Sequence, residues 1–230
     1  MARILVAMFV ALALMAGPGV AQDMARVITV TGEGRIEAVP DMATIRLGVM
    51  SEGRTAREAI DANSRAMAGV LGRIEAAVVA ARDVQTQGFS VNPRWENRQN
   101  ERPRIAGFVA SNQVMVRVRD LDGLGELLDA VTRDGANSFD GLSFGLQDPA
   151  PAQDAARRAA VAEAQRKATL YAEAAGVTLG PLMSIDEGGA APRPVPMARA
   201  EMSMAMDGVP VAAGEVGVSA FVRLIYAIAE

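Results

Sequence analysis

The apolar positions of this chain change period in a regular order. Residues 27–34, VITVTGEG, form a short β-rich stretch that leads to Pro40 and Asp41. Beyond them Ala43, Ile45, Leu47 and Val49 alternate with Thr44, Arg46 and Gly48, the period of a half-buried strand. From about Thr55 to Ala81 the apolar residues Ile60, Met67, Leu71, Ile74 and Val78 recur at threes, fours and sevens, which predicts a helix with one packed face. Period two returns over residues 85–92 and 105–119, where Phe108, Ala110, Val114, Val116 and Val118 alternate with Ser111, Gln113, Arg117 and Arg119. The segment between these strands, PRWENRQNERPR, predicts an exposed polar loop.

The order strand, helix, strand, strand then recurs more weakly. Asp120 or Asp122 can cap a helix to about Ala136 that turns Leu124, Leu127, Leu128 and Val131 inward, and a strand near 138–146 follows. Pro149 and Pro151 open an Ala-rich helix to Ala175, which Gly176 stops. A short strand at 181–187 and a long one at 215–229 close the chain, the latter with Val216, Val218, Val222, Leu224, Tyr226 and Ile228 on one face. Residues 188–214, rich in Gly, Pro and Met, read as a long loop or lid. Helices among mostly adjacent strands predict an α+β fold of repeated β-α-β-β units, with a mixed or antiparallel sheet and helices packed on one face.

The N-terminus changes the picture of where the chain works. Arg3 precedes an apolar run from Ile4 to Ala16, then Gly17, Pro18 and Gly19, with small residues at Gly19 and Ala21 before Gln22. This is the layout of a cleaved signal peptide over residues 1–21. The run is shorter than the roughly 20 apolar residues that cross a bilayer. Residues 22–230 are then expected to form a single soluble domain in the periplasm of a Gram-negative bacterium. The formal net charge of −4 becomes −5 once Arg3 is removed, a poor balance for a nucleic-acid binder.

Composition narrows the chemistry further. The chain has no Cys and no His, so Ser-His-Asp and Cys-His mechanisms are excluded, and the usual pH switch and transition-metal ligand are missing. A Schiff-base or Ser-Lys enzyme would depend on Lys167, the sole lysine, which sits among Arg157, Arg158, Glu163, Arg166 and Glu173 as on a solvated helix face. Asp120 with Asp122 and Asp134 with Asp140 are the available carboxylate pairs, but acids are also what a helix start selects. Gly32-Glu33-Gly34 lacks the third glycine of a dinucleotide loop and reads as a bulge or tight bend. Pro40 with Asp41 reads as a register-fixing turn.

Two surface features carry possible ligands. Arg94, Arg98, Arg102 and Arg104 surround Trp95, as on a platform for single-stranded nucleic acid, but Glu96 and Glu101 dilute the charge and a solvated hairpin tip explains it as well. Met202, Met204 and Met206 form an M-x-M-x-M run with Met197 just before it. Soft thioether sulfur suits Cu(I), reversible sulfoxide formation suits oxidant quenching, and adaptable apolar filling needs no ligand at all.

The stretches TGEGRIEAVPDMATIRLGV, DVQTQGFSVNP, ASNQVMVRVRDLDGLGELLDAV, GANSFDGLSFGLQDP and RRAAVAEAQRKATLYAEAAGVTLG, in that order, resemble the SIMPL-domain family of YggE-like periplasmic proteins. The resemblance runs from about Val27 to the C-terminus. It implies β-α-β-β units, an envelope location, an association with oxidative and envelope stress, and homo-oligomers; it implies no catalytic residue or cofactor. The expectation is therefore a non-enzymatic protein that acts by binding or homo-oligomeric assembly, with peripheral envelope contact, no nucleic-acid partner and no cofactor. The alternative is a Cu(I)-binding module built on Met202, Met204 and Met206, and the last is an envelope hydrolase.

Overall fold

The alternation of Ala43, Ile45, Leu47 and Val49 makes β2 (Met42–Gly53) the centre of a sheet, with all four side chains buried on one face. In the computed structural model, which describes residues 26–97, 102–188, 195–197 and 211–229, β2 pairs with β4 (Arg104–Val118) on one side and β5 (Ser138–Gly145) on the other. β3 (Val84–Glu96) completes the order β3-β4-β2-β5, and every pairing is antiparallel. Two helices, α1 (Ala56–Ala76) and α2 (Leu124–Arg133), cover one face with Met67, Val70, Ile74, Leu124, Leu127 and Val131.

The second sheet joins the two ends of the described chain. β1 (Val27–Ala38) pairs over its whole length with β8 (Glu215–Ala229), whose other edge takes β6 (Thr178–Glu187) and, further along, β7 (Val195–Met197). The helix α3 (Ala150–Ala175) lies on this sheet. The order β-α-β-β is continuous in β2-α1-β3-β4; in the second sheet the remaining strand beside β8 comes from β1, because β5 has joined the first sheet.

Small residues set the second core. Ala156, Ala160, Ala164, Ala168 and Ala172 recur every four residues along α3 and are buried against the sheet. Opposite them stand Gly32 and Gly34. A Cβ at Gly32 would overlap the Ala160 carbonyl oxygen and lie 2.7 Å from the Ala164 nitrogen, and one at Gly34 would overlap the Ala156 carbonyl oxygen. The G-x-G is thus neither a bulge nor a bend, since β1 keeps an unbroken register with β8 through Gly32↔Val222 and Gly34↔Ala220. It permits helix and strand backbones to touch.

Several boundaries differ from the sequence pattern for identifiable reasons. The expected polar loop at 93–104 is strand at its two ends, 93–96 and 104: Trp95 faces Ile105 and Arg104 pairs with Glu96 at 2.8 Å, in a ribbon too exposed to leave an apolar period. Part of the expected loop at 188–214 is β7, held by Val195↔Gly217 and Met197↔Glu215. Neither Asp120 nor Asp122 caps α2; Asp120 Oδ1 instead accepts the Asp122 N–H at 3.2 Å, and Gly123 precedes the helix without a side-chain cap. Pro149, Pro151 and Gly176 bound α3 as expected, with Gly176 at φ 67°.

α1 also ends earlier than its pattern. Its buried face is Ala59, Asn63, Met67, Val70 and Ile74, and Val78 is 90% exposed. Asn63 is admitted because its Nδ2 donates to the Val49 and Ala110 carbonyls at 2.7 and 3.1 Å. Val78 takes the left-handed position after the helix, at φ 61°, while the Val78 and Val79 N–H groups donate to Glu75 and Ile74 carbonyls. That conformation is costly for a β-branched side chain and natural for Gly. Val78→Gly is expected to raise stability by about 0.5–1 kcal/mol after the greater chain entropy of Gly is counted. A higher urea midpoint at unchanged m-value is the readout.

Candidate functional site

The turn after β1 is tied to three distant segments. Asp41 Oδ1 accepts the Gln147 N–H at 2.7 Å, and the Asp41 carbonyl accepts from Gln147 Nε2 at 2.8 Å. Gln147 Oε1 accepts from Arg119 Nη1 at 2.8 Å. Arg119 then grips Asp83 with both arms of its guanidinium, Nε to Oδ2 at 2.8 Å and Nη2 to Oδ1 at 2.9 Å. Such a bidentate pair fixes orientation as well as charge. Asp41 therefore does fix a turn, but through residues 106 positions away rather than through its own backbone.

Asp83 is buried at 4% exposure, in the 3-10 turn Ala81–Asp83 that precedes β3. The Arg119 hydrogen bonds hold its carboxyl below the ordinary carboxylate range against the opposing effect of burial, helped by the charges of Arg119, Arg82 and Arg117. One buried anion is thus surrounded by three cations, with Arg82 Nε 4.0 Å from Oδ2.

Next to this pair opens a cleft of about 640 Å³ between the end of α1, the 3-10 turn, the end of β4 and α2. Its apolar lining includes residues 76–80, Ala-Ala-Val-Val-Ala. Its cationic lining is Arg73, Arg82, Arg117, Arg119 and Arg133. Asp83, Asp120 and Glu126 are the acids in the lining. Arg73 is engaged by Asp134 at 2.6 Å.

The residues singled out from the sequence fall in separate places. Asp134 is bound to Arg73, and Asp140 accepts from Gln113, so the two carboxylates have different partners. Lys167 Nζ donates to the Thr31 carbonyl at 3.1 Å and lies 3.5 Å from Glu163, an ion-paired helix face as its neighbours indicate. Near Trp95, Arg94 pairs with Glu52 and Arg104 with Glu96. Arg98, the segment 1–21, and Met202, Met204 and Met206 lie outside the described residues. The cleft itself has a partial signature: Arg117 and Arg119 in VRVRD share a strand face by period two, but only the fold adds Arg73, Arg82 and Arg133.

Two antiparallel sheets, the first covered by two helices and the second by one, with an arginine-lined cleft in the first half, define an α+β protein whose chemistry is that of ion pairs. The chain belongs to the SIMPL family, described as a protein of unknown function (DUF541), whose family model matches residues 28–226. It is similar to the 26 kDa periplasmic immunogenic proteins of Brucella melitensis and Brucella abortus, each 37% identical over 210 residues, covering 87% of this chain and 84% of the relative. It is also similar to the uncharacterized protein YggE of Escherichia coli, 29% identical over 188 residues, or 82% of this chain and 75% of the relative. Among the described residues no helix is long and apolar enough to cross a membrane.

Proposed function

We propose that this is a periplasmic envelope protein that works through binding and homo-oligomeric assembly rather than through turnover, in the protection against oxidative or envelope stress that the family resemblance implies. The observation that carries the assembly is β3: thirteen residues at the edge of its sheet, exposed along almost all of them. An edge of that length offers a row of unpaired backbone groups to another chain. Phe89, Trp95 and Ile105 of the β3–β4 ribbon are each about half exposed and would supply apolar contact area. The periplasmic location is supported by the names of the Brucella relatives and by the signal-like order of residues 1–21. A non-catalytic role is supported by Asp83, Asp134 and Glu163, whose carboxyls are all held low by arginine, the opposite of a general acid's tuning.

Trp95 is the only tryptophan and stands 57% exposed, so it reports on this ribbon directly. Its emission is expected to shift to the blue as the concentration of residues 22–230 rises through the micromolar range, and Phe89→Ser with Ile105→Ser is expected to abolish the shift. Emission that stays solvent-like at every concentration would contradict assembly through β3.

A further inference from the structure

We infer that the cleft between the end of α1 and α2 binds a small organic anion with a compact apolar body, its carboxylate or phosphate received by Arg117 and Arg133 and its body lying on residues 76–80.

Charge is the first support. Asp83 is already occupied by both arms of Arg119, so it does not fully neutralise Arg82, 4.0 Å away, or Arg117. Arg73 has its own partner in Asp134. Among the described residues the side chains of Arg117 and Arg133 make no ion pair or hydrogen bond. Five arginines against Asp83, Asp120 and Glu126 leave two positive charges in the lining, and counting Asp134 leaves one. That surplus fits a monoanion or dianion and would not hold a polyanion. Guanidinium is the side chain best suited to planar oxyanions.

Shape is the second. The volume of about 640 Å³ lies within the range of small-molecule sites, which combine apolar walls with a few placed polar groups. Here Val78 is held in a conformation a valine avoids, and it lines the cleft together with Val79 and the arginines, its side chain exposed. A strained residue at the rim of a cleft is where function is commonly found. The 3-10 turn and the end of β4 are joined by Asp83 and Arg119, so the backbone that carries Arg82 and Arg117 is held before any ligand arrives.

The test is calorimetric titration of residues 22–230 with hexanoate, hexyl phosphate, inorganic phosphate and 1-hexanol. At least one of the two amphiphilic anions is expected to saturate at one per chain, and the tighter of them identifies carboxylate or phosphate as the favoured group. Inorganic phosphate and hexanol are each expected to bind at least tenfold more weakly. In the double variant Arg117→Gln, Arg133→Gln the tighter anion is expected to lose at least tenfold in affinity. Both side chains are exposed and, among the described residues, make no ion pair or hydrogen bond, so the fold should hold, as circular dichroism would verify; the contrast among ligands on the unaltered chain stands without the variant. No saturable binding of either amphiphilic anion would overturn the assignment, as would undiminished binding by a folded double variant. Hexanol binding as tightly as the anions would remove the role of the arginines, and phosphate binding as tightly would remove that of the apolar wall. The outcome is independent of assembly through β3, which lies outside this cleft.

Discussion

Gly34→Ala is expected to lower the stability of the protein by at least about 3 kcal/mol, near the upper end of what overpacking costs and a large part of a domain's total. The added methyl meets backbone, namely the Ala156 carbonyl oxygen and the Ala160 nitrogen, rather than a side chain that can rotate away. Trimming α3 therefore gives no relief: Gly34→Ala with Ala160→Gly should remain as unstable as the single variant. Gly32→Ala should behave alike, since it meets the Ala160 carbonyl oxygen one turn further along. The control is Gly72→Ala, on the exposed side of α1 with nothing within 4 Å of the new methyl. There the same change should stabilise by about 0.5–1 kcal/mol through helix propensity. Urea unfolding of the four variants reads both signs. A Gly34→Ala protein within 1 kcal/mol of the parent would mean that α3 does not lie against β1 as described.

Arg119→Met should be the next most damaging change. It leaves Asp83 ionised, buried and without its main partner, a situation that costs about 3 kcal/mol or more when the surviving charge cannot reach water. Adding Asp83→Asn to Arg119→Met should recover much of the loss, because the orphaned charge goes with it. The same pair governs behaviour in acid. Folding lowers the carboxyls of Asp83 and Asp134 below their ordinary range and that of Glu163 to about 2, in each case chiefly through hydrogen bonds from an arginine. A carboxyl lowered by folding contributes stability that is complete above its unfolded value, near 4, and is lost as pH falls toward its folded value. Stability should thus be flat near neutrality and decline from about pH 5 down to about 2. In Arg119→Met the decline should be shallower, since Asp83 no longer gains from ionising. An acid limb as steep as the parent's would show that Asp83 owes nothing to Arg119.

Most strands could be read from period two because one face of each sheet is buried and the other is wet. β2 and β8 announce themselves through Ala43 to Val49 and Val216 to Tyr226. β3 beyond Pro93 could not, since a ribbon open on both faces has no apolar period to display. The pairing of β1 with β8 was also hidden: it joins residues nearly two hundred positions apart, and periodicity carries no information about partners. The Ala repeat of α3 and the G-x-G of β1 were each visible, but their relation as two sides of one close contact appears only when they are brought together. Of the candidate site, Arg117 and Arg119 were legible as neighbours on a strand face. Arg73, Arg82 and Arg133 come from two helices and a turn, and tertiary packing alone makes them one surface.

Whether the protein assembles without a resident metal can be read from a single light-scattering experiment. Residues 22–230, purified without added metal, would be passed over a size-exclusion column with multi-angle light scattering, and the metal content of the same peak measured. A multimer free of metal is expected. A strict monomer throughout the micromolar range would contradict it, and a small species carrying copper in proportion to protein would transfer the function to Met202, Met204 and Met206.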